Sequence, residues 1–212
     1  MQRALRHKSF AIGALLVLLL VATALLSFVW TPYPAAELDI PNKLAPLSAK
    51  HWLGTDSLGR DIVSLLIVGS RNSIAVGFIA VGIGIVFGAA LGLLAAARRG
   101  WVEELVMRLA DFTFAFPALL SAIMLTAIYG PGLVTSIVAI GIFNVPVFAR
   151  ITRAAANSVW AREYVLAARA CGKGKLRITL EHVLPNIASQ LIVQATIPVS
   201  YTHLTLPTNR EV

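Results

Sequence analysis

Three long runs of the chain carry no charged side chain. Ser9 to Trp30 is 22 residues, Asn72 to Ala97 is 26, and Phe112 to Ala149 is 38. A helix needs roughly 20 apolar residues to cross the hydrocarbon of a bilayer, because lipid offers backbone amides no partner. The first two runs therefore predict one span each. The third is long enough for two, and Tyr129-Gly130-Pro131-Gly132 in its middle supplies a tight turn between them. A fifth apolar run begins near Val183 and reaches Ile197-Pro198. This pattern predicts an all-α, polytopic membrane protein.

Finer spacing adds detail to each piece. Arg3, Arg6 and Lys8 precede the first run, whose apolar stretch is too long for a cleaved signal peptide and lacks a clear cleavage site. Residues 1–30 are thus expected to form an uncleaved signal-anchor helix. Thr31 to Pro46 holds four prolines and reads as extended chain. In "HWLGTDSLGRDIVSLLIVGSRNS" (51–73), Asp56 and Arg60 are four apart, as one helical turn would pair them. Residues 31–71 are expected to be an external segment with a helix lying at the interface. Gly84, Gly88 and Gly92 put small residues on one face of the second span, where two backbones can approach closely. The partner is a helix of the same chain or of another subunit. Pro117 should bend the third span near its inner end. Asn144 and Pro146 mark the fourth, with Asn144 either lining a transport path or packing helices.

Charge fixes an orientation. Lys and Arg number three in residues 1–8, three in 98–111 and seven in 150–180, against four in the intervening segments (Lys43, Lys50, Arg60, Arg71). Basic residues concentrate in cytoplasmic loops, so the N-terminus and the 150–182 loop are expected inside. The net charge of +8 then reports topology, and nucleic acid need not be invoked. With 13% charged and 58% hydrophobic residues, the chain is far from the roughly 25% charge of soluble domains. One cysteine excludes an internal disulfide. There is no GxxxxGK[ST], no HExxH, and no carboxylate or lysine within the four complete spans. No enzyme activity, cofactor or metal is expected, and the chain carries no energy source of its own.

The informative loop follows the fourth span. "RITRAAANSVWAREYVLAARACG" is rich in Ala and Arg without Pro or Gly before Gly172, so it is expected to be helical throughout. Ala167 and Ala168 would let a partner press close, Gly172 would end the helix, and Leu184-Pro185 would return the chain to the membrane. Composition alone leaves open whether this is a rigid knob or a positive-inside anchor.

"HWLGTDSLGRD", "FARITRA" and "REYVLAARACG…LRITLEHVLPN", in that order, resemble the permease subunit of bacterial ABC importers, specifically the class serving dipeptides, oligopeptides and nickel. The resemblance covers roughly residues 51–198. Such permeases carry Glu-Ala-Ala, three residues, Gly, and about a dozen residues later Leu-Pro. Here Ala167, Ala168, Gly172, Leu184 and Pro185 occupy those positions, while Leu166 replaces the glutamate and Glu163 stands one helical turn earlier. The resemblance implies a type I importer permease fold with a core over 72–198, of which about five of six membrane helices are present. It implies that the 150–182 loop couples to two cytoplasmic ATPase subunits, with a second permease subunit and an extracytoplasmic substrate-binding protein as further partners. The location implied is the bacterial cytoplasmic membrane. Peptides are the leading substrate reading and nickel the next.

From Val199 the sequence turns polar, "VSYTHLTLPTNREV". Val199 to Leu204 is also what the transposon end used in sequencing-library preparation would encode. Residues 199–212 are expected to be a foreign tail on a shortened permease. Two rival readings are a secondary transporter or channel, in which the basic loop is only an anchor, and a non-transporting assembly subunit.

The charge count makes a direct prediction. With Cys171 replaced, Arg60→Cys, beside Asp61 in the segment expected outside, should react with an impermeant thiol reagent in intact cells, and Lys173→Cys should react only after lysis. The reverse pattern would invert the topology.

Overall fold

The computed structural model describes residues 8–204, with side chains from Ala11 to Thr196. Every regular element among them is helical: α1 (Lys8–Leu26), α2 (Ile62–Arg98), α3 (Trp101–Ala115), α4 (Ala118–Tyr129), α5 (Leu133–Trp160), α6 (Glu163–Ala170), α7 (Lys175–Ile178) and α8 (Leu184–Leu204). A short 3-10 turn lies at Ile40–Asn42, and a π-helical turn, Thr179–Val183, joins α7 to α8. The all-α expectation holds. The chain divides into two compact units, Met1–Ala75 and Val76–Val212, with α2 running through the boundary.

By length and composition, α2 and α5 can cross a membrane, and the bent pair α3 and α4 forms a third span if taken together. The described apolar part of α1, Ala11–Leu26, is shorter. Its leucines are exposed around the helix, as suits a lipid surrounding. Of the expected foreign tail, the backbone of Val199–Leu204 continues α8, and residues 205–212 lie outside the described residues.

Within the first unit, no helix lies at 51–61. Gly54 and Gly59 both have positive φ (76° and 79°), and the segment closes as a loop with a bridge between Thr55 and Asp61. A β-carbon on Gly59 would fall 1.8 Å from the Asp39 carbonyl oxygen, so no other residue fits there. Asp56 and Arg60 do pair, at 2.6 Å, through this turn rather than along a helix. The Asp56 carboxylate also accepts the amides of Leu58 and Arg60, both at 2.9 Å. Helix α2 starts only after this loop, at Ile62, ten residues before the uncharged run begins. The four-residue spacing was real, but two glycines in left-handed backbone override it.

In the second unit the glycine stripe meets α5 of the same chain. A β-carbon at Gly84 would lie 2.5 Å from Asn144 Cβ, one at Gly88 2.5 Å from the Val145 carbonyl oxygen, and one at Gly92 2.5 Å from that of Ala149. The two backbones touch, which only glycine allows. Asn144 lies buried in this seam against Gly84. The seam opens toward one end into the core, in which Phe148, Ala156, Val159 and Trp160 of α5 meet Val165, Ile178, Val183 and Ile187.

Two further expectations change. The third span is broken by 79° between α3 and α4, at Phe116-Pro117, so Pro117 does more than bend it. The loop helix is also not continuous: α5 stops at Trp160 and α6 starts at Glu163. Trp160 and Val165 are both nearly fully buried, and only a turn at Ala161-Arg162 lets both reach the core. Neither residue signals a break, so packing decides it.

Gly88→Ala should lower thermal stability in detergent by about 1–3 kcal/mol through overpacking. Gly82→Ala, with nothing within 4 Å, should be neutral or slightly stabilising. Equal behaviour of the two variants in a melting assay would contradict the close seam.

Candidate functional site

The loop between α5 and α8 presents a short helix on a fixed base. Val165, fully buried, pins α6 to the core, while its other faces look outward. Ala167 is exposed, Ala168 is half-buried against the core, and Glu163 sits exposed in the first turn, where a carboxylate suits the helix dipole. Tyr164 and Leu166 are also about half exposed. Leu166, where the resembled motif has glutamate, thus adds apolar surface and no charge to the knob.

Gly172 closes α6 as expected. Its φ is 79°, its amide donates to the Arg169 carbonyl at 2.9 Å, and the Lys173 amide donates to that of Ala168 at 3.1 Å. These two bonds form a Schellman stop, which a left-handed residue makes possible.

Leu184 and Pro185 lie where the loop becomes α8. Pro185 has no N–H for the Glu181 carbonyl, and its ring would press on that carbonyl in a regular helix. The chain widens just before it into the π-turn, whose closing bond runs from the Leu184 amide to the Thr179 carbonyl. Leu-Pro therefore sets the geometry of the return. Leu184 is half-buried and Pro185 exposed, so neither belongs to the core itself.

A charged clamp ties the two sides of the loop together. Glu181 accepts from Lys173 Nζ at 2.7 Å and from Arg177 Nε at 2.5 Å. Lys173 Nζ also lies 3.3 Å from His182 Nε2, and the His182 ring meets Tyr164 edge-on at 6.2 Å. These two cations hold the Glu181 carboxyl down at about 2. Sequence reasoning missed this clamp. The four-residue spacing of Arg177 and Glu181 was legible, whereas Lys173 reaches Glu181 only because Gly172 turns the chain.

Further along α5, Arg153 pairs with Glu103 of α3 at 2.6 Å, and Arg150 pairs with Asp111 while stacking 4.5 Å over Phe114. Among the described residues, no group of His, Cys, Asp or Glu could hold a metal ion.

In the first unit, the 51–61 loop ends in a second network. Asp61 accepts from the Ser64 amide and hydroxyl, both at 2.8 Å, and faces His51 Nδ1 at 3.0 Å. Burial pushes the Asp61 carboxyl up, but these bonds outweigh it and hold the group below its usual range. The arrangement caps α2, with the Ser64 hydroxyl donating to Asp61.

The clamp has a definite pH signature. Because the folded Glu181 value is depressed, its contribution is complete above the ordinary value of 4.5 and fades only as pH falls toward 2. Hydrogen exchange at residues 172–174 should therefore be insensitive to protonation of Glu181 between pH 5 and 8. Glu181→Gln should speed it severalfold across that range, and an unchanged rate would show that the clamp orders nothing.

Comparison with known proteins supports one reading. Over 91% of its length the chain is 38% identical to the dipeptide transport system permease protein of Alkalihalophilus pseudofirmus. It is 42% identical over 92% to the di/tripeptide transport system permease protein of Pseudomonas aeruginosa, and 40% over 91% to the glutathione transport system permease protein of Pectobacterium atrosepticum. It spans 63%, 66% and 64% of the length of these relatives. Residues 84–202, which hold the glycine stripe and the whole loop between α5 and α8, match the family described as binding-protein-dependent transport system inner membrane component. The chain belongs to that family of integral membrane permeases.

Proposed function

We propose that the protein is a permease subunit of an ATP-driven importer of small peptides, and that α6 transmits the ATPase stroke to the membrane helices. The observation that carries this is the loop's construction. A short helix with small residues outward is stopped by Gly172, pinned by Val165 and clamped through Glu181 to the start of α8. A displacement of α6 then reaches α8 and α5 without being absorbed in slack. The relatives named for dipeptide, di/tripeptide and glutathione transport support a peptide cargo. The same reading has a second permease subunit beside this one, two ATPase subunits on the α6 side, a binding protein on the opposite side, and a cytoplasmic N-terminus.

The half-exposed Tyr164 and Leu166 beside Ala167 give α6 an apolar docking surface in place of a glutamate contact. Cross-linking tests the docking directly. In membranes containing the companion ATPase subunits, Ala167→Cys (with Cys171→Ser) should cross-link to an ATPase subunit, and Ala167→Trp should abolish the association while leaving membrane insertion intact. Absence of any cross-link, with the ATPases present and associated, would refute the assignment of α6.

A further inference from the structure

Helix α3 has three faces. Val106 and Ala110 are buried against the protein. Glu104, Arg108 and Asp111 point outward on a second side, with the Glu104–Arg108 pair largely exposed. Trp101, Leu105, Leu109 and Phe112, with Phe116 just beyond the helix end, form the third face. They recur at spacings of four, four, three and four, a continuous stripe, and are 48–75% exposed.

A helix crossing a bilayer has two kinds of neighbour, protein and lipid, and a charged outer sector would be costly in hydrocarbon. Three faces suit a helix lying in the plane of the membrane surface, with protein on one side, acyl chains below and water above. The 79° break at Phe116-Pro117 agrees: α4, which has no charged residue, departs steeply from α3. The ion pairs from Arg150 and Arg153 place α3 beside the end of α5 that leads into α6.

The charge balance identifies the surface. All three acidic residues of α3 have an arginine partner within the chain: Glu103 with Arg153, Glu104 with Arg108, and Asp111 with Arg150. Arg98, the last residue of α2, and Arg99, just after it, are exposed and have no ion-pair partner among the described residues. The uncompensated charge at this edge is positive. We infer that α3 is an interfacial helix whose Trp101–Phe116 stripe sits among the acyl chains of the leaflet on the α6 side, with Arg98 and Arg99 meeting anionic lipid headgroups. This goes beyond the transport reading and does not depend on it.

Accessibility of spin labels tests it. The full chain, with Cys171→Ser, is labelled in turn at Glu104→Cys, Leu105→Cys, Arg108→Cys, Leu109→Cys and Phe112→Cys and placed in phosphatidylcholine–phosphatidylglycerol vesicles. Oxygen access should peak at 105, 109 and 112, and access of a water-soluble nickel chelate at 104 and 108, with no drift in depth along the helix. A steady change in depth, over the about 22 Å that 15 residues span, would make α3 a membrane-crossing segment and overturn the inference. Protection of 105 and 109 from both reagents would show a protein partner on the stripe and overturn it too. Lipid retained on purification should favour phosphatidylglycerol on the order of tenfold, and Arg98→Gln/Arg99→Gln should remove that preference. An undiminished preference in the double variant would refute the headgroup assignment.

Discussion

The contact of α2 with α5 through Gly84, Gly88 and Gly92 is the constraint on which the second unit depends. In lipid, burying apolar side chains gives no advantage over leaving them in the acyl chains, so close packing must hold helices together. Three glycines let α2 lie directly on the backbone of α5. That fixes the line of α5, and α5 carries Phe148, Ala156, Val159 and Trp160 into the core that seats α6, α7 and the start of α8. The loop that carries α6 and α7 thus inherits its position from the seam between α2 and α5.

Polar interactions take over where the helices leave the apolar region. Glu181 with Lys173 and Arg177, and Arg150 and Arg153 with the acids of α3, are exposed or half-exposed pairs. Such pairs contribute little stability individually. Their part is geometric: they select one arrangement among several that the apolar core would tolerate. The π-turn before Pro185 has the same character, since a missing amide sets the local winding. In the first unit, left-handed glycines and an aspartate cap hold a compact loop.

Much of this was legible in the sequence. Uncharged runs gave α2, the turn at Tyr129–Gly132 and α5, and the glycine spacing gave a seam without naming its partner. Gly172 was legible as the stop of the helix that carries Ala167 and Ala168, though not the short length of that helix. What escaped depends on contacts distant along the chain. The break after Trp160 exists because Trp160 and Val165 both seek one core, and no turn-forming residue announces it. The clamp on Glu181 requires Gly172 to reverse the chain first. At 51–61, correct charge spacing suggested a helix that two glycines in left-handed backbone do not permit.

The central claim is that α6 moves with the membrane helices as a rigid extension of them. Pulsed spin-label distances between Ala167→Cys on α6 and Val138→Cys on α5, with Cys171→Ser, measure this most directly. A single narrow distribution, unchanged when the proposed ATPase partners are nucleotide-free or trapped with ATP, is the predicted result. A broad distribution, or one that shifts with nucleotide, would show slack between the loop and α5 and contradict the account.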